Sequence, residues 1–410
     1  MTETLAKPGR GNVLVARAST NCGRRGRCPS HARGFASAST VRGLFCTAVA
    51  LTVSVVFSSD RPVGVFDSGT GGLTVLEKLL TVDEFDNVTG ERRSDGRPDL
   101  ASENFVYFGD QANLPYGLYG AKGKTDFLRE LIVRDTEFVL GEDGHAPSKI
   151  VVIACNTATA YGLAASTESA KPKGAKVIGV VNAGVEATMD ALDVKKGIAP
   201  FAVGVIATPG TIASGVYERT LRSALAERNV DSCEIVNRGG VGLAEAVEND
   251  EPGVKDCART NFVAMVESYR SRGGKAPIRA VILGCTHYPF VLSVFKETLA
   301  ELRKDVRYSA LLADDLVFVD PAVYTAVQCY RSLRKDGILN RKGTGSPRVS
   351  SFMSVGRDGP LSMDVKYGRS LGLKDIGTEI VPMTRKTMSA DSIKRLFELL
   401  PVSSREIFAK

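Results

Sequence analysis

The chain has 410 residues, of which 43% are apolar and 24% charged, close to globular averages and enough for two core-forming units. Its formal charge of +7 does not mark a nucleic-acid-binding surface, because residues 1–59 carry eight Lys or Arg and one acid while the remainder balances at 45 basic and 45 acidic residues. The eight cysteines include no CxxC pair, and the three histidines (His31, His145, His287) form no HExxH or paired Cys/His spacing, which excludes a small disulfide-framed domain and gives no metal site.

In chain order, residues 1–60 come first as an Arg-, Ser- and Ala-rich extension almost free of acid, the composition of a plastid or mitochondrial targeting segment; without such processing the protein is expected to be cytoplasmic. Its apolar run from Gly43 to Phe57 is too short and too interrupted by Ser and Thr for a membrane span, so a soluble protein with no membrane or nucleic-acid partner is expected. From Pro62 onward, short apolar runs alternate with segments of helical spacing. Strands are expected at Val63–Phe66, Phe105–Phe108, Ile150–Ile153, Val177–Val180, Ala202–Ile206, Glu234–Val236, Ala280–Leu283 and Leu316–Val319. Continuous apolar strands separated by helices argue for α/β architecture with buried parallel sheets. Two polar stretches interrupt this rhythm: Thr81–Glu103, read as a surface insertion, and residues Arg341 to Pro360. Ser389–Leu400 returns to helical spacing, with Ile393, Leu396, Phe397 and Leu400 on one side, and reads as a packing helix.

The chain repeats itself. Val63-Gly-Val-Phe-Asp-Ser-Gly-Thr matches Val203-Gly-Val-Ile-Ala-Thr-Pro-Gly-Thr, and Ile150-Val-Val-Ile-Ala-Cys-Asn-Thr matches Ala280-Val-Ile-Leu-Gly-Cys-Thr-His. We therefore expect two pseudo-symmetric, doubly wound parallel-sheet halves with the active site in the cleft between them. The first half would take residues 61–165 and about 300–340, the second 166–299, with 341–410 as a C-terminal extension. In each half a cysteine, Cys155 or Cys285, ends a central strand, where open α/β sheets place ligand-contacting residues.

One buried cysteine after a strand is ordinarily a small core residue. Two in matching contexts, each followed by short polar residues (Asn156-Thr157 and Thr286-His287), suit a chemical role instead, that of removing a proton from one face of a carbon and returning one to the other. A free thiol has a pKa of about 8.5, so either cysteine can serve as base or acid after modest tuning. No sequence feature supplies pyridoxal phosphate or a metal to absorb the carbanion charge, so no cofactor is expected and fixed dipoles in a closed cleft must stabilise it.

Asp67-Ser-Gly-Thr-Gly-Gly-Leu73, Gly109-Asp110, Pro115-Tyr-Gly117, Ala154-Cys-Asn-Thr-Ala-Thr159, Ala207-Thr-Pro-Gly-Thr211 and Leu283-Gly-Cys-Thr-His-Tyr-Pro289, in this order, resemble the glutamate racemases of the aspartate/glutamate racemase superfamily over roughly residues 62–330. The resemblance implies cofactor-independent racemisation of glutamate, with Cys155 and Cys285 as proton donor and acceptor on opposite faces. It also implies Asp67 and His287 as their neighbours, and Glu248, in competition with Glu245, as a further acid. Ser68, Tyr116, Gly117, Asn156, Thr157, Thr286, His287 and Asp67 would hold the amino acid, and a homodimer is the family expectation.

Rival readings are weaker. The glycine-rich turn at Asp67 lacks the lysine of a phosphate loop, and Gly117-Leu-Tyr-Gly-Ala-Lys-Gly-Lys-Thr125 has one residue too many for GxxxxGK[ST]. A Cys/His hydrolase built on Cys285 and His287 leaves Cys155 unexplained. Aspartate as substrate, or a binding module without catalysis, stay open on the sequence alone.

Overall fold

Ten strands are arranged in two sheets in the computed structural model, which describes residues 59–142, 144–342 and 345–408. The expectations for the N-terminal extension, including the run from Gly43 to Phe57, lie outside these residues. The strands are β1 (Val63–Asp67), β2 (Asn104–Gly109), β3 (Ile150–Ile153), β4 (Lys176–Gly179), β5 (Phe201–Ala207), β6 (Cys233–Gly239), β7 (Ile278–Gly284), β8 (Leu312–Val319), β9 (Arg348–Gly356) and β10 (Thr378–Pro382). All eight strands expected from the sequence are present. The first sheet runs β10-β9-β2-β1-β3-β4 and the second β6-β5-β7-β8, parallel throughout except for the β9–β10 pair. The inner order 2-1-3-4 recurs as 6-5-7-8, so the sequence repeat is a repeat of topology. Cys155 follows β3 and Cys285 follows β7, at equivalent positions.

Helices cover both faces of each sheet, as buried parallel strands require. In chain order they are α1 (Leu73–Thr81), α2 (Thr125–Val139), α3 (Asn156–Ala170), α4 (Val180–Ala191), α5 (Pro209–Ala213), α6 (Val216–Glu227), α7 (Leu243–Glu248), α8 (Val254–Ser271), α9 (Leu292–Leu302), α10 (Pro321–Lys335), α11 (Met363–Gly368), α12 (Ala390–Leu399) and α13 (Pro401–Phe408). On the first sheet, Val65, Tyr107 and Val152 pack with α1 and α10, while Phe66, Phe108 and Ile153 pack with α2. On the second, Ile206 and Val281 face α8 and α9, and Val205 and Ile282 face α4 and α6.

The boundaries between the halves differ from those expected. β4 belongs to the first sheet, and the chain then crosses so that α4 packs on the second; β8 closes the second sheet, and α10 crosses back onto the first. β4 is a four-residue edge strand, too short and too exposed to declare its sheet by pattern. Asp320 fixes the start of α10 by accepting Ala322 N–H at 3.0 Å, with Pro321 at the first helical position.

The stretch Arg341–Pro360 is likewise not irregular throughout: it contains β9, which shields β2 from an edge position. Its buried side chains are Val349, Ser351 and Met353 on one face and Ser354 on the other, so serines dilute the apolar alternation that would reveal a strand. Thr81–Glu103 does run as turns beyond α1, anchored by Phe85 stacked on Tyr330. A buried ion pair, Lys149 Nζ to Glu103 Oε2 at 2.7 Å, ties the start of β3 to the residue preceding β2.

Candidate active site

The ends of β1, β3 and β7 bring together eight of the expected residues, Asp67, Ser68, Cys155, Asn156, Thr157, Cys285, Thr286 and His287, all of them buried. Cys155 caps α3, its Sγ accepting Ala158 N–H at 3.4 Å and its S–H donating to Ser68 Oγ at 3.6 Å. Burial pushes this thiol well up from its usual range, and the charge of Asp67 pushes it further. At the matching strand end of the second half, Cys285 Sγ lies 3.5 Å from His287 Nδ1. Both cysteines are only 6% exposed, so any proton they exchange is shielded from bulk water.

His287 links Cys285 to Glu248. Its Nε2 lies 2.5 Å from Glu248 Oε2, with both side chains buried. Burial opposes a charged imidazole, yet the hydrogen bonds to Cys285 and Glu248 and the charges there outweigh it and hold His287 well above its usual range. Glu248 closes α7 and collects three further donors: Thr70 N–H at 3.1 Å, Gln111 Nε2 at 2.7 Å and Thr70 Oγ1 at 2.9 Å. Burial alone would raise its carboxyl, but His287, Gln111 and Thr70 bring it down to about 2. An ionised Glu248 requires Nε2 to donate, and the upward shift of His287 favours the imidazolium, the form in which Nδ1 donates to Cys285 Sγ. Of the two acids in competition on the sequence, the structure brings Glu248 to His287.

Asp67 lies at the end of β1 with Oδ2 accepting Gly69 and Gly72 N–H at 3.1 and 3.0 Å and Oδ1 accepting from Thr286 Oγ1 at 3.4 Å. Burial raises its carboxyl to about 6, the positive charge of His287 and the two amides opposing. A raised folded-state pKa means that the folded state holds this proton more tightly than the unfolded chain, so stability is lost as pH rises from 3.8 to about 6. The loss is on the order of 3 kcal/mol. We expect Asp67→Asn to remove this contribution, so that the stability difference between variant and wild type changes across that pH window in denaturant titrations. Parallel curves would assign Asp67 an ordinary carboxyl.

Close approach of the halves depends on Gly71, where a Cβ would fall 2.6 Å from Thr286 Oγ1 and 2.7 Å from the His287 ring. On the Cys155 side, Thr157 Oγ1 meets Thr208 and Thr211 Oγ1 at 2.9 and 3.0 Å, and Asn156 Oδ1 accepts from Tyr217 Oη at 2.6 Å. Gly117 packs on Thr208, 2.8 Å from where its Cβ would stand. The Tyr116 hydroxyl goes to Asp110 and Asp135, which leaves backbone amides as what the 116–117 turn can offer a ligand.

Thr70, Gln111, Thr208 and Thr211 join the site although the sequence alone did not single them out. Three of them lie inside the motifs named above and Gln111 follows Gly109-Asp110, so position in the motif was the available signal. Arg395 of α12 is a second addition. It donates to the Glu248 carbonyl at 3.5 Å and pairs with Asp250 at 3.6 Å, beside a cavity of about 440 Å³ between α12 and Glu248. The helix also packs, burying Ile393 and Leu396. Among the described residues no group of His, Cys, Asp or Glu is placed to hold a metal ion, and no helix is long and apolar enough to cross a membrane.

The sequence model of the Asp/Glu/Hydantoin racemase family matches residues 135–308. The chain is 34% identical over 291 residues to the glutamate racemase of Clostridium novyi, covering 70% of this chain and 90% of that protein. It is 32% identical over 287 residues to that of Chlorobaculum parvum, covering 69% and 84%. Among solved structures, a glutamate racemase isoform of Bacillus anthracis superposes with a TM-score of 0.53 at 28% identity, over 72% of this chain and 89% of that one. The Francisella tularensis glutamate racemase in complex with D-glutamate gives 0.50 at 27% identity, over 72% and 88%. The chain belongs to the glutamate racemase family.

Proposed function

We propose that the protein interconverts L- and D-glutamate without a cofactor, using Cys155 and Cys285 as a pair of opposed acid–base groups. The observation that carries this reading is the pairing of two buried thiols at equivalent strand ends, one backed by His287 and Glu248, the other by Ser68 and Asp67. In one direction the Cys285 thiolate, hydrogen-bonded by the His287 imidazolium, takes the Cα proton while the Cys155 thiol delivers its own to the opposite face. The C–H bond broken on one side is replaced by the one formed on the other, and the reverse reaction exchanges the roles.

Burial of the Cys155 thiol supports its starting as the acid. Substrate carboxylates would meet the hydroxyls of Thr157, Thr208 and Thr286 and the first amides of the turn at Tyr116 and Gly117. The ammonium group would meet Asp67. Glutamate is supported by the relatives' activity and by the D-glutamate bound to the Francisella tularensis enzyme. A homodimer is the family expectation and belongs to this proposal.

The test is the full chain with L-glutamate in deuterated water and no added cofactor, following optical rotation and α-hydrogen exchange. Loss of rotation with deuterium incorporation is expected. Activity on aspartate alone would change the substrate and keep the chemistry, while inactivity on both, with glutamate binding intact, would reduce the protein to a binding module.

A further inference from the structure

Behind the cleft lies a buried acid pair that the chemistry above does not use. Tyr116 Oη stands 2.5 Å from Asp110 Oδ2 and 2.7 Å from Asp135 Oδ2. A phenol has one hydrogen, and an ionised carboxylate can only accept, so two carboxylates cannot both be satisfied by this hydroxyl. One of the two acids must hold a proton and donate it to Oη.

The surroundings identify which. Asp110 also accepts two contacts from Asn113 Nδ2, at 2.7 and 2.9 Å, and one from Ser354 Oγ at 2.6 Å. Asp135, on α2, has Tyr116 as its only side-chain hydrogen-bond partner among the described residues. It borders a cavity of about 520 Å³ walled in part by Phe108, Phe138, Ile376 and Ile380. Burial raises its carboxyl well above the usual range and the charge of Asp110 raises it further; the Tyr116 hydrogen bond opposes, Asp67 adds to the rise and Arg134 opposes it. Arg134 is itself paired with Glu130, and Lys374, Glu137, Glu142 and Glu379 line the same cavity. Among the described residues no ion pair is made by Asp135.

The geometry points to Asp135 as a positioning residue: as a carboxylic acid it donates to Tyr116 Oη, which donates on to Asp110, and this chain locks the Pro115–Leu118 turn against Thr208. The inference rests on the reading that this turn forms a wall of the glutamate site. The lock matters because Gly117 meets Thr208 with no space to spare, so a shift of the turn displaces the Thr157, Thr208 and Thr211 hydroxyls together. With rising pH, ionisation of Asp135 sets two carboxylates on one hydroxyl and loosens the turn.

The test compares full-length wild type, Asp135→Asn and Asp135→Leu by hydrogen–deuterium exchange of the 116–120 amides and by steady-state kinetics. Asparagine keeps a donor for Oη; leucine does not. For Asp135→Leu we expect about tenfold faster exchange in the turn and about tenfold higher KM, with kcat within about threefold. Asp135→Asn should match wild type near neutrality, and its KM should climb less at alkaline pH than the wild-type value does. Wild-type behaviour of the leucine variant, or equal loss in both variants, would overturn the assignment. Should leucine prevent folding, parallel KM–pH profiles for wild type and Asp135→Asn would overturn it equally. Absence of racemisation in wild type would fail the functional reading instead, leaving the exchange comparison to decide the lock.

Discussion

Cys155→Ser and Cys285→Ser are each expected to lower racemisation by about 10²–10⁴-fold, the range over which a positioned acid–base group contributes. A serine hydroxyl is a far weaker acid than a thiol and cannot supply the base form at neutral pH. The fold should survive both changes. Serine at 155 can take over the helix cap by accepting Ala158 N–H, a role it fills well.

The two variants should not behave alike in exchange experiments, because the sulfurs sit in different surroundings. Cys155→Ser retains Cys285 with its His287 and Glu248 partners, so it should still exchange the α-hydrogen of the enantiomer whose C–H bond faces Cys285, without inverting it. Cys285→Ser leaves Cys155, whose thiol is held protonated by burial and Asp67, and its residual exchange should be slower and confined to the other enantiomer. Deuterium incorporation followed separately from L- and D-glutamate reads this asymmetry. Wild-type racemisation in either variant would sink the two-thiol mechanism, and equal residual exchange from both enantiomers would sink the assignment of unlike roles.

What could be read from the sequence divides along a physical line. Buried parallel strands announce themselves because both faces need apolar side chains, so β3 and β7 were legible as Ile-Val-Val-Ile and Ala-Val-Ile-Leu, and the cysteines that end them came with their context. β9 was not, because one of its faces is built from Ser351, Val349 and Met353 against neighbours supplied by distant parts of the chain. The crossings at α4 and α10 were illegible for a related reason: which sheet a helix covers is a tertiary choice that leaves little mark on a helix with one apolar face. At the site, motif residues were found and their orientation was not. Tyr116 reads as a substrate ligand by position, whereas its hydroxyl goes to the polar groups that compensate its burial, Asp110 and Asp135. Glu248 carried only a weak local signal. Its partners Thr70, Gln111 and His287 lie 178, 137 and 39 residues away, so its importance is visible only once the halves are assembled.

Glu248→Gln is the second substitution expected to act strongly, and the reason is donor counting. All four hydrogen bonds to this carboxylate come from donors: Thr70 N–H and Gln111 on Oε1, Thr70 Oγ1 and His287 on Oε2. A glutamine places an N–H₂ where one oxygen stood, so at least one donor meets a donor in a buried site, at a cost of about 1–3 kcal/mol. If the amide nitrogen faces His287, the ring must give up its Nε2 proton and become neutral, and the imidazolium that donates to Cys285 is lost. We expect racemisation to fall by about 10²-fold or more, the lower end of what acid–base positioning supplies. The same substitution should pull the His287 titration back towards the ordinary imidazole range, since burial then acts without its counter-charge. NMR titration of His287 in wild type and Glu248→Gln separates this from simple misfolding. A variant that folds, keeps His287 protonated through neutral pH and still loses activity would move the role of Glu248 from holding the imidazolium to contacting the substrate itself.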